Sequence, residues 1–301
     1  VYTTGDFNGT VDFDPGEGMF NLTSVGSSDI FISKLDASGN LIWAKQMGGI
    51  SNDYGRSIAV DSNGNVYITG QFALTADFDP GTGVFNLSSA GSFDIFISKL
   101  DTNGNFVWAK RMGGASQDNG YSISVDFSGN VYSTGYFYGT ADFDPGTGIF
   151  NLTPAGSSDI FISKLDASGN FLWAKQIGGA TGSQEQGSAI TLDVDGNVYT
   201  TGEFAGTADF DPGTGTFNLT SSGSSDIFIS KLDTSGNFLW AKQMGGANYE
   251  DSLSIAVDPT GNIYTTGEFV GIADFDPGSG TFNLSSVGGR DLFITKLDNS
   301  G

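Results

Sequence analysis

An all-β fold of tandem, four-stranded antiparallel repeats is what the sequence predicts, on three observations. The pentapeptide Asp-Phe-Asp-Pro-Gly starts at Asp12, Asp77, Asp142, Asp209 and Asp274, so its steps are 65, 65, 67 and 65 residues. A period this regular marks one structural unit copied in tandem. Composition is rich in Gly (46) and Phe (25) and low in charged residues (15%), which suits turns and strands rather than a helical solenoid. Within each period, short β-branched and aromatic runs alternate with Asp-x-x-Gly-Asn turns.

The second copy shows the elements in order. Asp94-Ile-Phe-Ile-Ser-Lys-Leu100 is the first strand, Asp101-Thr-Asn-Gly-Asn105 a turn, and Phe106-Val-Trp-Ala-Lys110 the second strand, closed by Gly113-Gly114. Gly104 supplies the left-handed residue a tight hairpin needs. After a polar loop, Ser122–Val125 and Val131–Gly135 flank a second turn of the same kind, Asp126-Phe-Ser-Gly-Asn130, and form the third and fourth strands. Four short strands per copy is the unit of a β-propeller blade. The expected blades are 29–72, 94–137, 159–204 and 226–269, with partial units at 1–7 and 291–301, all in one array over 1–301. The remaining stretch, Gly139 to Thr153 in one copy, carries Pro-Gly-x-Gly between two Phe-bearing runs. It reads as an extra hairpin between blades.

Five columns hold 23 of the 25 Phe residues, and with the column Trp43, Trp108, Trp173 and Trp240 they are expected to form one repeated core. The Trp column is expected to pack between adjacent blades.

The run Ser-Asp-Ile-Phe-Ile-Ser-Lys-Leu-Asp-x-Ser-Gly-Asn-x-x-Trp-Ala-Lys, then Gly-Gly, then Ser-Ile-Ala-Val-Asp-x-x-Gly-Asn-Val-Tyr-x-Thr-Gly, resembles the bacterial β-propeller repeat known as the SBBP repeat. The likeness covers about two thirds of each period. The Asp-Phe-Asp-Pro-Gly insert is similar to a variant found in large secreted surface proteins of Bacteroidetes-type bacteria. The resemblance implies an extracellular or cell-surface repeat protein, frequently exported through a dedicated outer-membrane system. Opening and closing inside a repeat, the sequence reads as a stretch of a longer array.

Charge and composition narrow the chemistry. Twelve basic against 34 acidic residues give a net charge of −22, a field that repels nucleic acid and anionic lipid and favours cations. No His and no Cys occur, so imidazole bases, thiol nucleophiles and disulfides are excluded within this sequence. No apolar run is long enough to span a membrane as a helix.

The sharpest motif is the insert itself. The pairs Asp12 and Asp14, Asp77 and Asp79, Asp142 and Asp144, Asp209 and Asp211, and Asp274 and Asp276 resemble the start of a calcium loop, where alternate residues offer oxygens to one hard cation. No third acid follows at the next alternate position, and the alternative is that each Asp caps the Pro-Gly turn and pairs with a repeat Lys. The turn acids Asp36, Asp101, Asp166, Asp233, Asp298 and Asp61, Asp126, Asp193, Asp258 follow from hairpin geometry alone. A further acid recurs before the third strand, as Asp53, Asp118, Glu185 and Glu250, in a variable loop to which the third copy adds two residues within 181–186. Asn21, Asn86, Asn151, Asn218 and Asn283 begin glycosylation-type sequons. The singular features, Tyr136, Tyr138, the two-residue insertion and Arg290, assemble no unique acid pair in sequence.

These observations predict a non-enzymatic structural or adhesive repeat protein whose partners are neighbouring repeats or copies of itself. A multivalent carbohydrate-binding propeller, engaging surface glycans, is the alternative, and a propeller-type hydrolase the third reading.

Overall fold

The computed structural model describes residues 1–179 and 184–301. Every regular element among them is a β-strand. The chain forms two compact units: Val1–Val131, Gly139–Leu152 and Leu165–Leu172 make the first, and Tyr132–Tyr138, Thr153–Lys164 and Trp173–Gly301 the second.

In the first unit, Asp53–Val60, Val66–Phe72, Asp94–Leu100 and Phe106–Gly114 lie side by side as an antiparallel sheet. Val60 pairs with Val66, Phe72 with Asp94, and Lys99 with Trp108. A sheet therefore joins the third and fourth strands of one copy to the first and second strands of the next. The expected blade spans group the same strands differently. Each of them straddles two sheets, because the hydrogen-bonded ladder breaks after the Gly-Gly pair that ends the second strand. The third strand also begins earlier than expected, at Asp118 rather than Ser122, so much of the variable loop is strand. In the second unit, Val198–Phe204 pairs with Glu185–Leu192 on one side and Asp226–Leu232 on the other, and the latter pairs with Phe238–Gly246. The final strands, Glu250–Val257, Ile263–Asp274 and Asn283–Leu297, pair in the same manner.

Phenylalanine explains the phasing. Phe78, from Asp-Phe-Asp-Pro-Gly, sits 5.2 Å from Phe72 of the fourth strand and 5.0 Å from Phe96 of the first. All three rings are fully buried. The insert thus gathers the fourth and first strands next to one another in one sheet. The trio recurs as Phe7, Phe13 and Phe31, as Phe204, Phe210 and Phe228, and as Phe269, Phe275 and Phe293. Burying each such ring contributes about 1.5–3 kcal/mol. The Phe-Asn-Leu column departs from the expected core: Phe20, Phe85, Phe150 and Phe217 remain 38–40% exposed, and Phe282 62%.

The insert hairpin reaches back as a strap. Thr75–Asp77 and Asn86–Ser88 arise between two neighbouring strands of one sheet and pair onto the edge of the preceding sheet, Gly48 opposite Asp77 and Gly49 opposite Ala76. The same pairing joins Gly113 and Gly114 to Asp142 and Ala141, Gly178 and Gly179 to Asp209 and Ala208, and Gly245 and Gly246 to Asp274 and Ala273. A second contact between successive sheets is the turn 101–105, which docks beside Trp43. The Trp43 indole N–H and the Lys34 ammonium both donate to the Thr102 carbonyl, at 3.4 and 3.0 Å. Trp173 and Lys164 donate alike to Thr234. The Trp column joins adjacent sheets, as its recurrence predicts.

Close approach makes glycine obligatory at the strap. A Cβ on Gly114 would lie 2.1 Å from the Thr140 carbonyl oxygen, whereas one on Gly289 would meet nothing within 4 Å. Gly114→Ala is expected to destabilise the chain by about 1–3 kcal/mol in urea unfolding, with Gly289→Ala within about 0.5 kcal/mol of wild type. Equal effects at the two positions would contradict strap docking.

Candidate functional site

The paired aspartates of the insert organise its turn. Asp77 accepts hydrogen bonds through Oδ1 from the amides of Asp79 (3.0 Å) and Phe85 (2.8 Å), and Asp79 accepts through Oδ1 from Gly81 (2.8 Å). The other four pairs repeat this pattern. The amides of Phe20 and then Asp14 hold the Asp12 carboxyl below the ordinary carboxylate range. This is the capping geometry expected of Asx-type turns. It engages one oxygen of each carboxylate, leaving two Oδ2 atoms per pair where calcium takes about six to eight oxygen ligands. Among the described residues no group of three or more acids is placed to hold a metal ion.

The same aspartates line an open groove that recurs. Strap and second-strand edge enclose about 410 Å³ lined by Phe20, Lys45, Gln46, Asp77, Asp79 and Pro80. Phe85, Lys110, Arg111, Asp142, Asp144 and Pro145 line an equivalent of about 280 Å³. In the second unit, Phe217, Lys242, Gln243, Asp274, Asp276 and Pro277 line another of about 410 Å³. Each groove offers a partly exposed aromatic ring, a carboxylate pair, an ammonium and a carboxamide or guanidinium. The lysines here also face the next hairpin turn: against the upward pull of burial, hydrogen bonds from Asn105 and Asn103, and last the Lys45 charge, hold Asp101 low. The other Lys column stacks on tyrosine, as Lys99 does on Tyr67 at 4.9 Å. The sequon asparagines all lie exposed at the start of the strap's return strand.

The acids that open the first and third strands lie apart in sequence, and the fold brings them together, buried. Asp29 accepts from the Val25 amide (3.0 Å) and the Gln46 carboxamide (2.6 Å). Asp53 accepts from the amides of Gly49 (2.8 Å) and Ala73 (3.2 Å). Both carboxylates are fully buried. Burial pushes Asp53 up to about 6, against those amides, and the Asp29 charge adds to the rise. Asp226 and Glu250 repeat the arrangement, and burial with the Asp226 charge pushes Glu250 up to about 7. Where other copies have Gln, Arg111 pairs with Asp94. These pairs tie strand ends and strap returns together.

The residues that differ most between copies also converge. Facing pairs on the third and fourth strands are Tyr54 and Gln71, Gln186 and Glu203, and Asp251 and Glu268. Around the last of these the second unit builds what the sequence did not foretell. Arg290 pairs with Glu268 and lies over the Tyr249 ring at 4.7 Å. Burial raises Glu203 against hydroxyl hydrogen bonds from Ser225 and Tyr249. Burial and the charges of Glu203 and Glu268 push Asp251 up to about 7, with Arg290 opposing. Arg290 therefore belongs to an acid cluster drawn from strands that are distant in sequence. Of the expected insertion, 180–183 lies outside the described residues.

The SBBP family profile, described as a beta-propeller repeat, matches residues 42–71, 107–139, 172–203 and 239–268. Each match runs from the second through the fourth strand. The chain is 26% identical over 267 residues to an uncharacterized WD repeat-containing protein of Acanthamoeba polyphaga mimivirus, covering 76% of this chain and 19% of that protein. It is 28% identical over 171 residues to the regulatory protein FlaEY of Caulobacter vibrioides, covering 56% of this chain and 17% of that one. The chain thus spans less than a fifth of the length of these curated relatives. A solved structure of a protein of unknown function from Bacteroides caccae aligns over 87% of this chain and 82% of its own, with 10% identity and a TM-score of 0.33.

The buried acids set the response to pH. Asp53 and Glu250 titrate at about 6 and 7 when folded, against 3.8 and 4.5 ordinarily, so the folded chain holds more protons than the unfolded one between roughly pH 4 and 7. Their contribution is therefore lost as pH rises through that window. Turn acids act oppositely: the Asn40 side chain and amide hold Asp36 low, a contribution lost only in stronger acid. Urea unfolding is expected to show a higher midpoint at pH 5 than at pH 7.5, with Asp53→Asn narrowing the gap. A midpoint that climbs from pH 5 to 7.5 would overturn this assignment.

Proposed function

From a chain built of four SBBP β-propeller repeats, and so belonging with the β-propeller repeat proteins, we propose a non-enzymatic adhesive role at the cell surface or in an extracellular fibre, exercised by multivalent contact with glycans. The observation that carries this reading is the recurrent strap groove, lined in each described instance by a Phe ring, a Lys and a pair of aspartates. A chemical reaction calls for one differentiated site, whereas equivalent grooves repeated along one chain raise avidity by repetition. The exposed Phe ring offers a flat apolar face to a sugar ring, and the aspartates, Lys and Gln offer hydroxyl partners. The net charge of −22 supports a role away from nucleic acid and anionic lipid. The extracellular setting rests on the resemblance to secreted surface repeat proteins.

Glycan arrays, followed by surface plasmon resonance on dense and dilute layers of any glycan bound, test the reading. Avidity is expected to favour the dense layer by about a hundredfold or more. Replacing Lys45, Lys110 and Lys242 together with Ala is expected to weaken dense-layer binding at least about tenfold while the circular dichroism spectrum stays that of the folded chain. An array without selective binding, or a triple variant that binds as wild type does, would argue for a purely structural protein.

A further inference from the structure

One cavity in the second unit lies apart from the strap grooves and does not recur among the described cavities. It measures about 170 Å³ and is lined by Tyr136, Tyr138, Ser158, Gln184, Glu185, Gln186 and Glu203. Tyr136 and Tyr138 are two apart on the strand Val131–Tyr138, so both face the same side. Their rings stand at 90° with centroids 5.6 Å apart. Only this copy has the pair: Asp6, Gln71, Glu203 and Glu268 occupy the position of Tyr136, and Asn8, Ala73, Ala205 and Val270 that of Tyr138. Gln186 and Glu203 face each other across the ladder. Two carboxylates enter the lining and no Lys or Arg does.

We propose that this cavity binds an amino sugar through its free ammonium group. Electron-rich tyrosine faces attract a cation within about 6 Å, and do so more strongly where it is partly removed from water. Carboxylates beside them supply charge-assisted acceptors. Glu203 is fixed for the task, because the hydroxyls of Ser225 and Tyr249 hydrogen-bond to it and orient it. The surrounding field has the right sign. Asp251, 95% buried by its 5% exposure, carries an Oδ1 without a hydrogen-bond partner and feels the charge of Glu203. The nearby guanidinium of Arg290 is committed to Glu268 and the Tyr249 ring. The carboxamides of Gln184 and Gln186 each offer a donor and an acceptor to ring hydroxyls. A volume of about 170 Å³ admits a small ligand, below the roughly 300–1,000 Å³ of drug-sized pockets. The site goes beyond the adhesive reading and is independent of it, since none of the groove residues lines the cavity.

Isothermal titration of the whole chain with glucosamine, N-acetylglucosamine, glucose and lysine amide tests the assignment. Glucosamine is expected to bind at least about tenfold more tightly than the other three, since the charged contact is unique to it. Glu203→Gln and Tyr138→Ala, each confirmed folded by its circular dichroism spectrum, are each expected to weaken glucosamine at least about tenfold. The triple Lys45, Lys110 and Lys242 variant is expected to bind it as wild type does, so failure here and failure of the groove reading are separable. N-acetylglucosamine binding as well as glucosamine would overturn the proposal. So would tighter binding of lysine amide, or wild-type affinity in both cavity variants.

Discussion

Within each unit, successive sheets are held by backbone pairing between a strap from one and a Gly-Gly edge of the one before, and the other contacts depend on that junction. The strap can approach only because the edge has no side chains: the Thr75 and Thr140 carbonyls stand where Cβ atoms would be at Gly49 and Gly114. Once seated, the strap brings its Phe between the fourth and first strands, so a single hairpin both completes one sheet's core and closes the edge of another. That second task matters for solubility, because an unpaired edge strand invites association with other chains. The turn aspartates belong to the same device. Their carboxylates satisfy amides that the tight Pro-Gly hairpin leaves without strand partners, which keeps the strap in shape while it bridges.

A division of labour between columns follows. Residues that recur, the Phe trios, the Trp and Lys beside the docking turn and the buried acid pairs, all serve the junctions between strands and sheets. The acid pairs are costly, since two carboxylates share a site removed from water. Each is anchored by amides from strand ends, and in one copy Arg111 compensates the charge directly. Residues that vary, Tyr54, Gln71, Tyr136, Gln186, Glu203, Asp251 and Glu268, stand on the third and fourth strands and touch little of that framework. Variation is confined to positions the scaffold can spare, and the grooves stay alike while the cavity in the second unit is individual.

Much of this was legible from the sequence, for reasons that can be named. Strand positions follow from β-branched and aromatic runs, and turns from Asp-x-x-Gly-Asn, because both signals are local. Gly104, at φ +77°, is where the hairpin requires it. The Trp column was placed between sheets correctly because a large aromatic that recurs at a strand position needs a partner surface. Sheet phasing was not legible. Whether Val66–Phe72 neighbours Asp53–Val60 alone or Asp94–Leu100 as well depends on the Phe trio, whose members are spread over 25 residues from Phe72 to Phe96. The Phe-Asn-Leu column has the spacing of the buried columns, yet its rings stand just before the strap's outer strand and stay partly exposed. The cluster around Arg290 was invisible for the same reason: Glu203, Asp251 and Glu268 come from different strands, and no local pattern announces their meeting.

Amide hydrogen exchange measures the central claim most directly, because strap docking makes specific loop-like residues part of a ladder. The amides of Asp77 and Asp142, which stand opposite Gly48 and Gly113 in the docking ladder and alternate with the Phe78 and Phe143 amides that bond within the strap, are predicted to exchange as slowly as those of the central strands, through openings of comparable free energy. Exchange at these positions as fast as at the exposed strap tips, around Gly81 and Gly146, would show that the straps are free. In that case the sheets would have to be held together by some other contact.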